Sequence, residues 1–78
     1  MYDYDLVMKE YDDDITEKVI EKLITLGANE DYMWLVCAGQ NWICYVKDGF
    51  LYEFHEFKTD EGYEKACIEL ATALNKPY

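Results

Sequence analysis

The stretch WICYVKDGFLYEFHEF, residues 42–57, decides the fold because it predicts two neighbouring strands joined by a tight turn. Residues 42–47 and 50–57 are rich in aromatic and β-branched side chains, which favour strands. Asp48-Gly49 between them is typical of a two-residue hairpin turn, because both positions need a positive φ. The sequence therefore predicts a β-hairpin here.

A third strand is predicted over residues 32–38, joined to the hairpin by a turn at Gln40-Asn41. The three strands then form an antiparallel meander. Two-residue turns fix the register of the strands they join. The predicted opposing pairs are Cys37 with Cys44, Ile43 with Phe54, Tyr45 with Tyr52, and Val46 with Leu51.

This register sorts the side chains of the sheet onto two faces. The first face holds Met33, Leu35, Cys37, Trp42, Cys44, Val46, Leu51, Glu53 and His55. The second face holds Tyr32, Trp34, Val36, Ile43, Tyr45, Phe50, Tyr52 and Phe54. Both faces are largely apolar, which is unusual for a sheet that is covered on one side only.

Two helices flank the strands. Asp14 is predicted as the N-cap of the first, with Glu17 three residues later as in a capping box, and Gly27 is predicted to end it. Its apolar stripe is Ile15, Val19, Ile20, Leu23, Ile24 and Leu26. Thr59 and Asp60 are predicted to cap the last helix. The stripe of that helix is Tyr63, Ala66, Cys67, Leu70, Ala71 and Leu74.

The first eleven residues fit either the alternation of a strand or one face of a helix. A helix is favoured, because Asp3 and Asp5 suit its N-terminus and Lys9 its C-terminal half. The predicted architecture is one compact α+β domain over residues 1–78, a two-layer sandwich. A three-stranded antiparallel meander carries the two main helices on one face, with a short N-terminal helix or strand.

Charge narrows the classes of partner. The chain has seventeen acidic residues, seven lysines and no arginine, and its formal net charge is −10. Nucleic acid and anionic membrane surfaces are disfavoured, because both attract cationic side chains. A basic protein surface is favoured. Eight tyrosines and two tryptophans are typical of interfaces, although they also suit the amphipathic surface of a sheet.

The sequence predicts no catalytic, metal or cofactor site. Cys37, Cys44, Cys67 and His55 lack the close spacing of zinc ligands. The triplet at 12–14 lacks the alternation and central glycine of a calcium loop. A Cys44–His55 pair beside a carboxylate has no accompanying oxyanion site. No leader or membrane-spanning run is present, so a cytoplasmic protein with reduced thiols is expected.

Acidic residues concentrate at the start of the chain, where residues 1–14 carry six carboxylates and one lysine. Carboxylates four apart on a helix, or two apart on a strand, lie about 6 Å apart, close to the spacing of successive phosphates. The predicted interface comprises Asp3, Asp5, Asp12, Asp13, Asp14, Glu17 and Glu21, with Tyr2, Tyr4 and Tyr11 between them.

In size, charge and aromatic content, the chain resembles the small acidic proteins that phages use against host nucleic-acid machinery. These include anti-CRISPR and anti-restriction inhibitors, many of which imitate DNA. No motif carries this resemblance, and it transfers no site residues. It implies a non-enzymatic inhibitor that occupies a basic, nucleic-acid-binding surface of a larger protein.

Two other classes of function stay open. The first is a small regulatory or structural adaptor, homodimeric through the aromatic face of the sheet. The second is a small enzyme or metal protein that uses the cysteines and His55.

Overall fold

The computed structural model describes residues 4–76 and has the predicted α+β fold. Its elements are α1 (Tyr4–Met8), α2 (Asp13–Thr25), a 3-10 helix (Glu30–Leu35), β1 (Val36–Gly39), β2 (Trp42–Lys47), β3 (Phe50–Glu56) and α3 (Asp60–Leu74). The strands form one antiparallel sheet in the order β1-β2-β3. Both long helices pack on one face of the sheet, which confirms the predicted sandwich.

The main core lies between the two long helices and the sheet. Leu23 of α2 and Leu70 and Leu74 of α3 are fully buried against Ile43 of β2. Burying a side chain of this size contributes about 1.5–3 kcal/mol. The apolar stripe of α3 is confirmed, whereas Ile24, predicted in the stripe of α2, is 38% exposed.

A smaller cluster lies on the opposite face of the sheet. Val7 of α1 is buried there against Trp42 and Cys44, and Met8 packs beside them. Phe54 stacks on Trp42 with 5.7 Å between the ring centroids. The helical interpretation of the N-terminal segment is therefore confirmed at Tyr4–Met8, and this helix covers part of the first face, opposite the two long helices.

The hairpin turn is confirmed in register and conformation. Asp48 and Gly49 have φ values of 53° and 78°, the left-handed pair that a type I′ turn requires. The turn is flanked by the predicted pairs of Tyr45 with Tyr52 and Val46 with Leu51. The turn at Gln40-Asn41 likewise sets Cys37 opposite Cys44, as predicted.

The predicted pairing of Ile43 with Phe54 is wrong, because a β-bulge interrupts β3. Ile43 pairs with His55 and Tyr45 with Tyr52, so two residues of β3 lie opposite Cys44 alone. Within the bulge, Glu53 has a φ of 51°. A bulge shifts every later residue of its strand to the other face of the sheet.

The shift changes the neighbours of two side chains. Phe54 turns to the face that holds Trp42, and His55 turns to the face covered by α3, where it meets Glu69. The sequence predicts the reverse, with Phe54 on the face of Ile43 and His55 on the face of Trp42.

The N-cap of α2 is Asp12 and not Asp14. Asp12 has extended φ and ψ angles of −132° and 120°, and its carboxylate accepts a hydrogen bond from the Ile15 N–H at 2.9 Å. The Asp12 N–H donates to the Ala38 carbonyl at the edge of β1, 3.0 Å away. This tertiary bond selects Asp12 among three adjacent aspartates, and it removes the predicted capping box with Glu17.

The first half of the predicted third strand is also wrong, because residues 30–35 form a 3-10 helix. The Asn29 side chain accepts a hydrogen bond from the Asp31 N–H at 2.9 Å and caps this helix. Its first turn also carries Glu30, as favoured at helix N-termini. Only Val36–Gly39 then joins the sheet, and Trp34 stands outside it.

The other predicted helix ends are confirmed. Gly27, with a φ of 91°, follows α2 in the left-handed conformation that ends helices. The Thr59 hydroxyl accepts a hydrogen bond from the Gly62 N–H at 3.0 Å and caps α3.

Thr16 joins α2 to the outer edge of β1, and its hydroxyl is expected to stabilise the fold. The hydroxyl accepts from the Ala38 N–H at 3.1 Å and lies 2.8 Å from the Asp12 carbonyl, to which it donates. Thr16→Val leaves the buried Ala38 N–H without a partner, so we expect a loss of about 1–3 kcal/mol in urea denaturation. Thr16→Ser keeps the hydroxyl and is the control. Equal losses in the two variants would contradict a role for this hydrogen bond.

Candidate acidic interface

Most residues of the predicted interface lie on α1, on α2, or between them. Tyr2 and Asp3 lie outside the described residues. The remaining residues are all exposed: Tyr4, Asp5, Tyr11, Asp12, Asp13, Asp14, Glu17 and Glu21. They are therefore available to a partner, although not all in the same way.

At the start of α2, the acidic side chains also serve the helix. One carboxylate oxygen of Asp12 is engaged as the N-cap. Asp13 and Asp14 occupy the first turn, where the helix dipole favours negative charge. A hydrogen bond with Asp13 raises the pKa of the Tyr11 hydroxyl, because the bond favours the protonated phenol. This local network orders the negative charge at the helix start.

Along α2, Asp14, Glu17 and Glu21 continue the negative charge. They are spaced three and four residues apart, which places them on one face of the helix. Lys22 forms an ion pair with Glu64 of α3, so a carboxylate outside this row balances its charge. The row is an exposed acidic track, with Lys18 on the same face of the helix as its single cation.

The start of α3 adds carboxylates that sequence reasoning did not assign to the interface. Gln40 and Asn41 of the β1–β2 turn line one cleft with Glu10 and Asp12, and another with Asp60. The turn therefore lies between the N-termini of α2 and α3, and both acidic helix starts share one end of the molecule. The sequence signal was the acidic pair after Thr59, but its position depends on the topology.

The bulge in β3 separates Cys44 from His55, the pair that the sequence analysis considered for catalysis. Cys44 lies in the cluster under α1, whereas His55 faces α3 on the other side of the sheet. The Glu69 carboxylate lies 3.3 Å from His55 Nδ1. Glu53 approaches Nε2 at 3.3 Å without the alignment of a hydrogen bond. Cys44 and His55 therefore lie on opposite faces of the sheet.

The cysteines are free thiols in apolar surroundings. Burial raises the pKa of the Cys44 thiol to about 12, and the neighbouring Cys37 adds to the effect. Burial also raises the pKa of Cys37 and of Cys67. The reactive thiolate is therefore scarce at neutral pH, as for cysteines that act as small apolar side chains.

The same burial predicts a loss of stability at alkaline pH. Burial raises the pKa of Tyr63 to about 12, and it raises the pKa of the Cys44 thiol to a similar value. Unfolding returns these groups to ordinary pKa values of about 10 and 8.5. The neutral forms therefore stabilise the fold below about pH 8, and the contribution is lost as pH rises towards 12. The urea midpoint should fall between pH 7.5 and 10.5, and should fall less in Cys44→Ala. An unchanged midpoint would contradict this account.

Within residues 4–76, no group of three or more histidine, cysteine, aspartate and glutamate side chains is arranged to hold a metal ion. No helix in that part of the chain has both the length and the apolar character needed to cross a membrane.

Comparison of the chain with known protein families, with curated proteins and with solved structures gives no match.

Proposed function

We propose that this chain is a non-enzymatic inhibitor that binds a basic, nucleic-acid-binding surface of a larger cytoplasmic protein. The observation that carries the proposal is the exposed acidic track on α2, which begins at Asp14 and runs through Glu17 to Glu21. By occupying the partner's lysines and arginines, the track excludes nucleic acid from the same surface.

The negative charge of the chain supports binding to a cationic protein surface. A net charge of −10 on 78 residues gives a field that accelerates encounter with a cationic surface. The same field repels nucleic acid and anionic lipid headgroups, so neither is a direct partner in this proposal. Salt screens such attraction over a Debye length of about 8 Å at physiological ionic strength. The complex should therefore weaken as salt is added.

The spacing of the track supports imitation of a nucleic-acid backbone. Carboxylates four residues apart on a helix lie about 6 Å apart along the helix axis, so the track presents regularly spaced negative charges, as a nucleic-acid backbone does. The exposed hydroxyl-bearing ring of Tyr11 stands at the start of the track. These features agree with the resemblance to phage anti-CRISPR and anti-restriction inhibitors.

The second candidate function is an adaptor that forms a homodimer, favoured by the exposed side chains of β3. Phe50 and Tyr52 are 66% and 42% exposed on this edge strand. Within the sheet, the other side chains of the predicted aromatic face are less available, because α2 and α3 bury Ile43 and Tyr45, whereas the exposed Trp34 lies outside the sheet. Such a dimer resists salt, since apolar burial is not screened. A monomer by sedimentation at high protein and salt concentration would exclude it.

A tagged pull-down from bacterial lysate tests the proposed function. It is run at low and high salt, with and without added duplex DNA. Capture of a nucleic-acid-binding protein that is released by either salt or DNA supports occlusion. Occlusion is contradicted if the captured partner is released by neither salt nor DNA, or if no partner is captured at any salt concentration.

A further inference from the structure

We propose that a cleft between the 3-10 helix and the β2–β3 turn binds an arginine side chain of the partner protein. This inference rests on the proposed function and adds a second contact with the same cationic surface. It concerns the end of the sheet opposite the acidic helix starts. β2 runs between the two ends, and its six residues span about 17 Å.

The most exposed aromatic side chain of the described residues stands at this cleft. Trp34 is 80% exposed, whereas Trp42 is 2% exposed. The cap at Asn29 begins the 3-10 helix and so keeps Trp34 out of the sheet. The cleft has a volume of about 370 Å³. Its lining residues are Tyr32, Trp34, Leu35, Val46, Lys47 and Asp48.

The lining suits each part of an arginine side chain. A guanidinium group stacks on the face of an indole, here Trp34, and tryptophan is the best aromatic partner for a cation. The Asp48 carboxylate lines the same cleft and can accept two parallel N–H bonds from the guanidinium. The half-buried Val46 offers apolar surface to its methylene groups.

Charge around the cleft selects this guest over a second copy of the chain. Glu30 and Asp31 lie in the first turn of the 3-10 helix, and Asp48 adds a third carboxylate. The chain has no arginine, so a second copy cannot supply the guest. Lys47 also lines the cleft, and its ammonium is a like charge that an entering cation must avoid. A planar guanidinium stacked on Trp34 meets this constraint better than a compact ammonium.

The experiment titrates the full chain with a short peptide containing two arginines, and with its twin containing two lysines. NMR follows the two indole N–H signals, which Trp34→Phe assigns. The arginine peptide should shift the Trp34 signal, leave Trp42 unchanged, and bind about fivefold more tightly than the lysine peptide. Trp34→Ala should weaken binding of the arginine peptide about tenfold.

Asp48→Asn isolates the charge of the carboxylate without disturbing the turn. Asparagine followed by glycine is as well suited to a type I′ turn as aspartate followed by glycine. This variant should weaken binding of the arginine peptide severalfold. Glu56→Gln removes an exposed carboxylate of β3 outside the cleft and is the matched control. Losses of equal size in the two variants would mean that only net charge matters and would overturn the proposal.

Other outcomes separate the cleft from the proposed function. Equal affinity for the arginine and lysine peptides, or no shift of the Trp34 signal, overturns the cleft. If Trp34→Ala captures the nucleic-acid-binding partner as tightly as the wild type, the proposed occlusion is supported and the proposed arginine site in the cleft is wrong. Peptide binding that depends on Trp34 and Asp48, in a protein that captures no nucleic-acid-binding partner, supports the cleft and overturns the occlusion.

Discussion

Gly39→Ala is expected to destabilise the protein by about 3 kcal/mol, the upper part of the usual range for overpacking a core. A Cβ atom at Gly39 would lie 2.6 Å from Trp42 Cε2 and 2.8 Å from the Glu10 carbonyl oxygen. Neither neighbour can move easily. Trp42 is buried and stacked on Phe54, and Glu10 belongs to the connection whose next residues pack on the edge of β1.

Urea denaturation followed by tryptophan fluorescence measures the effect, and Gly62→Ala is the matched control. A Cβ at Gly62 would lie 3.1 Å from Phe57 Cβ, a milder approach, inside a helix that favours alanine. We expect the control to remain within about 1 kcal/mol of the wild type. If Gly39→Ala unfolds at the same urea concentration as the wild type, the close packing of Trp42 over Gly39 is wrong.

Replacing both Glu17 and Glu21 with lysine is expected to weaken partner binding about 100-fold at low salt. Each substitution replaces attraction by repulsion on the exposed face of α2, and close like charges at an interface cost several kcal/mol. The salt dependence of the remaining binding should also flatten, because fewer counter-charges are engaged.

The control for this variant carries lysine at Glu56 and Glu69. Each substitution changes the charge by +2, so both double variants go from −10 to −6. All four side chains are exposed, and none caps a helix. Affinity measured by calorimetry should fall much less in the control. Equal weakening of the two would show that net charge, and not the track on α2, determines binding.

Asp12 is unsuitable for such a test, although charge alone would make it an obvious choice. Its carboxylate caps α2, and losing an N-cap costs about 0.5–2 kcal/mol of stability. Asp13 and Asp14 lie in the first turn, where their negative charge stabilises the helix by interacting with its dipole. Variants at Glu17 and Glu21 separate binding from folding.

The fold was predictable where local chemistry leaves one option. Asp48-Gly49 has one favoured two-residue turn, and that turn set the pairing up to Tyr52. The bulge beyond it was not predictable, because Glu53 takes a left-handed conformation without being glycine, asparagine or aspartate. One unrecognised extra residue was enough to exchange the faces of Phe54 and His55.

The other errors in the fold arose where the sequence fits more than one local structure. Three consecutive aspartates each suit an N-cap, and the hydrogen bond from the Asp12 N–H to Ala38 selects the first. Residues 32–35 contain strand-forming side chains, but the Asn29 cap directs them into a 3-10 helix. The Asp12–Ala38 hydrogen bond is tertiary and has no signal in short-range sequence patterns, whereas the Asn29 cap is local and competes with the strand-forming side chains that follow it.

The candidate interface divides in the same way. The acidic track of α2 follows from charge and helical spacing, both of which the sequence contains. The neighbouring start of α3 required the topology, because Asp60 is far from Asp12 in the chain but shares the β1–β2 turn with it. The exposure of Trp34 followed only from the 3-10 helix.

Elution from immobilised duplex DNA tests the central claim most directly. Bacterial lysate is bound to DNA-cellulose at low salt, and the resin is washed with the wild-type protein or with either double variant. Occlusion predicts that the wild type and the Glu56/Glu69 control release a nucleic-acid-binding protein as a complex, whereas the Glu17/Glu21 variant releases little. If no protein is released in complex with the wild type, or all three release the same amount, this chain does not act by occupying a nucleic-acid-binding surface through α2.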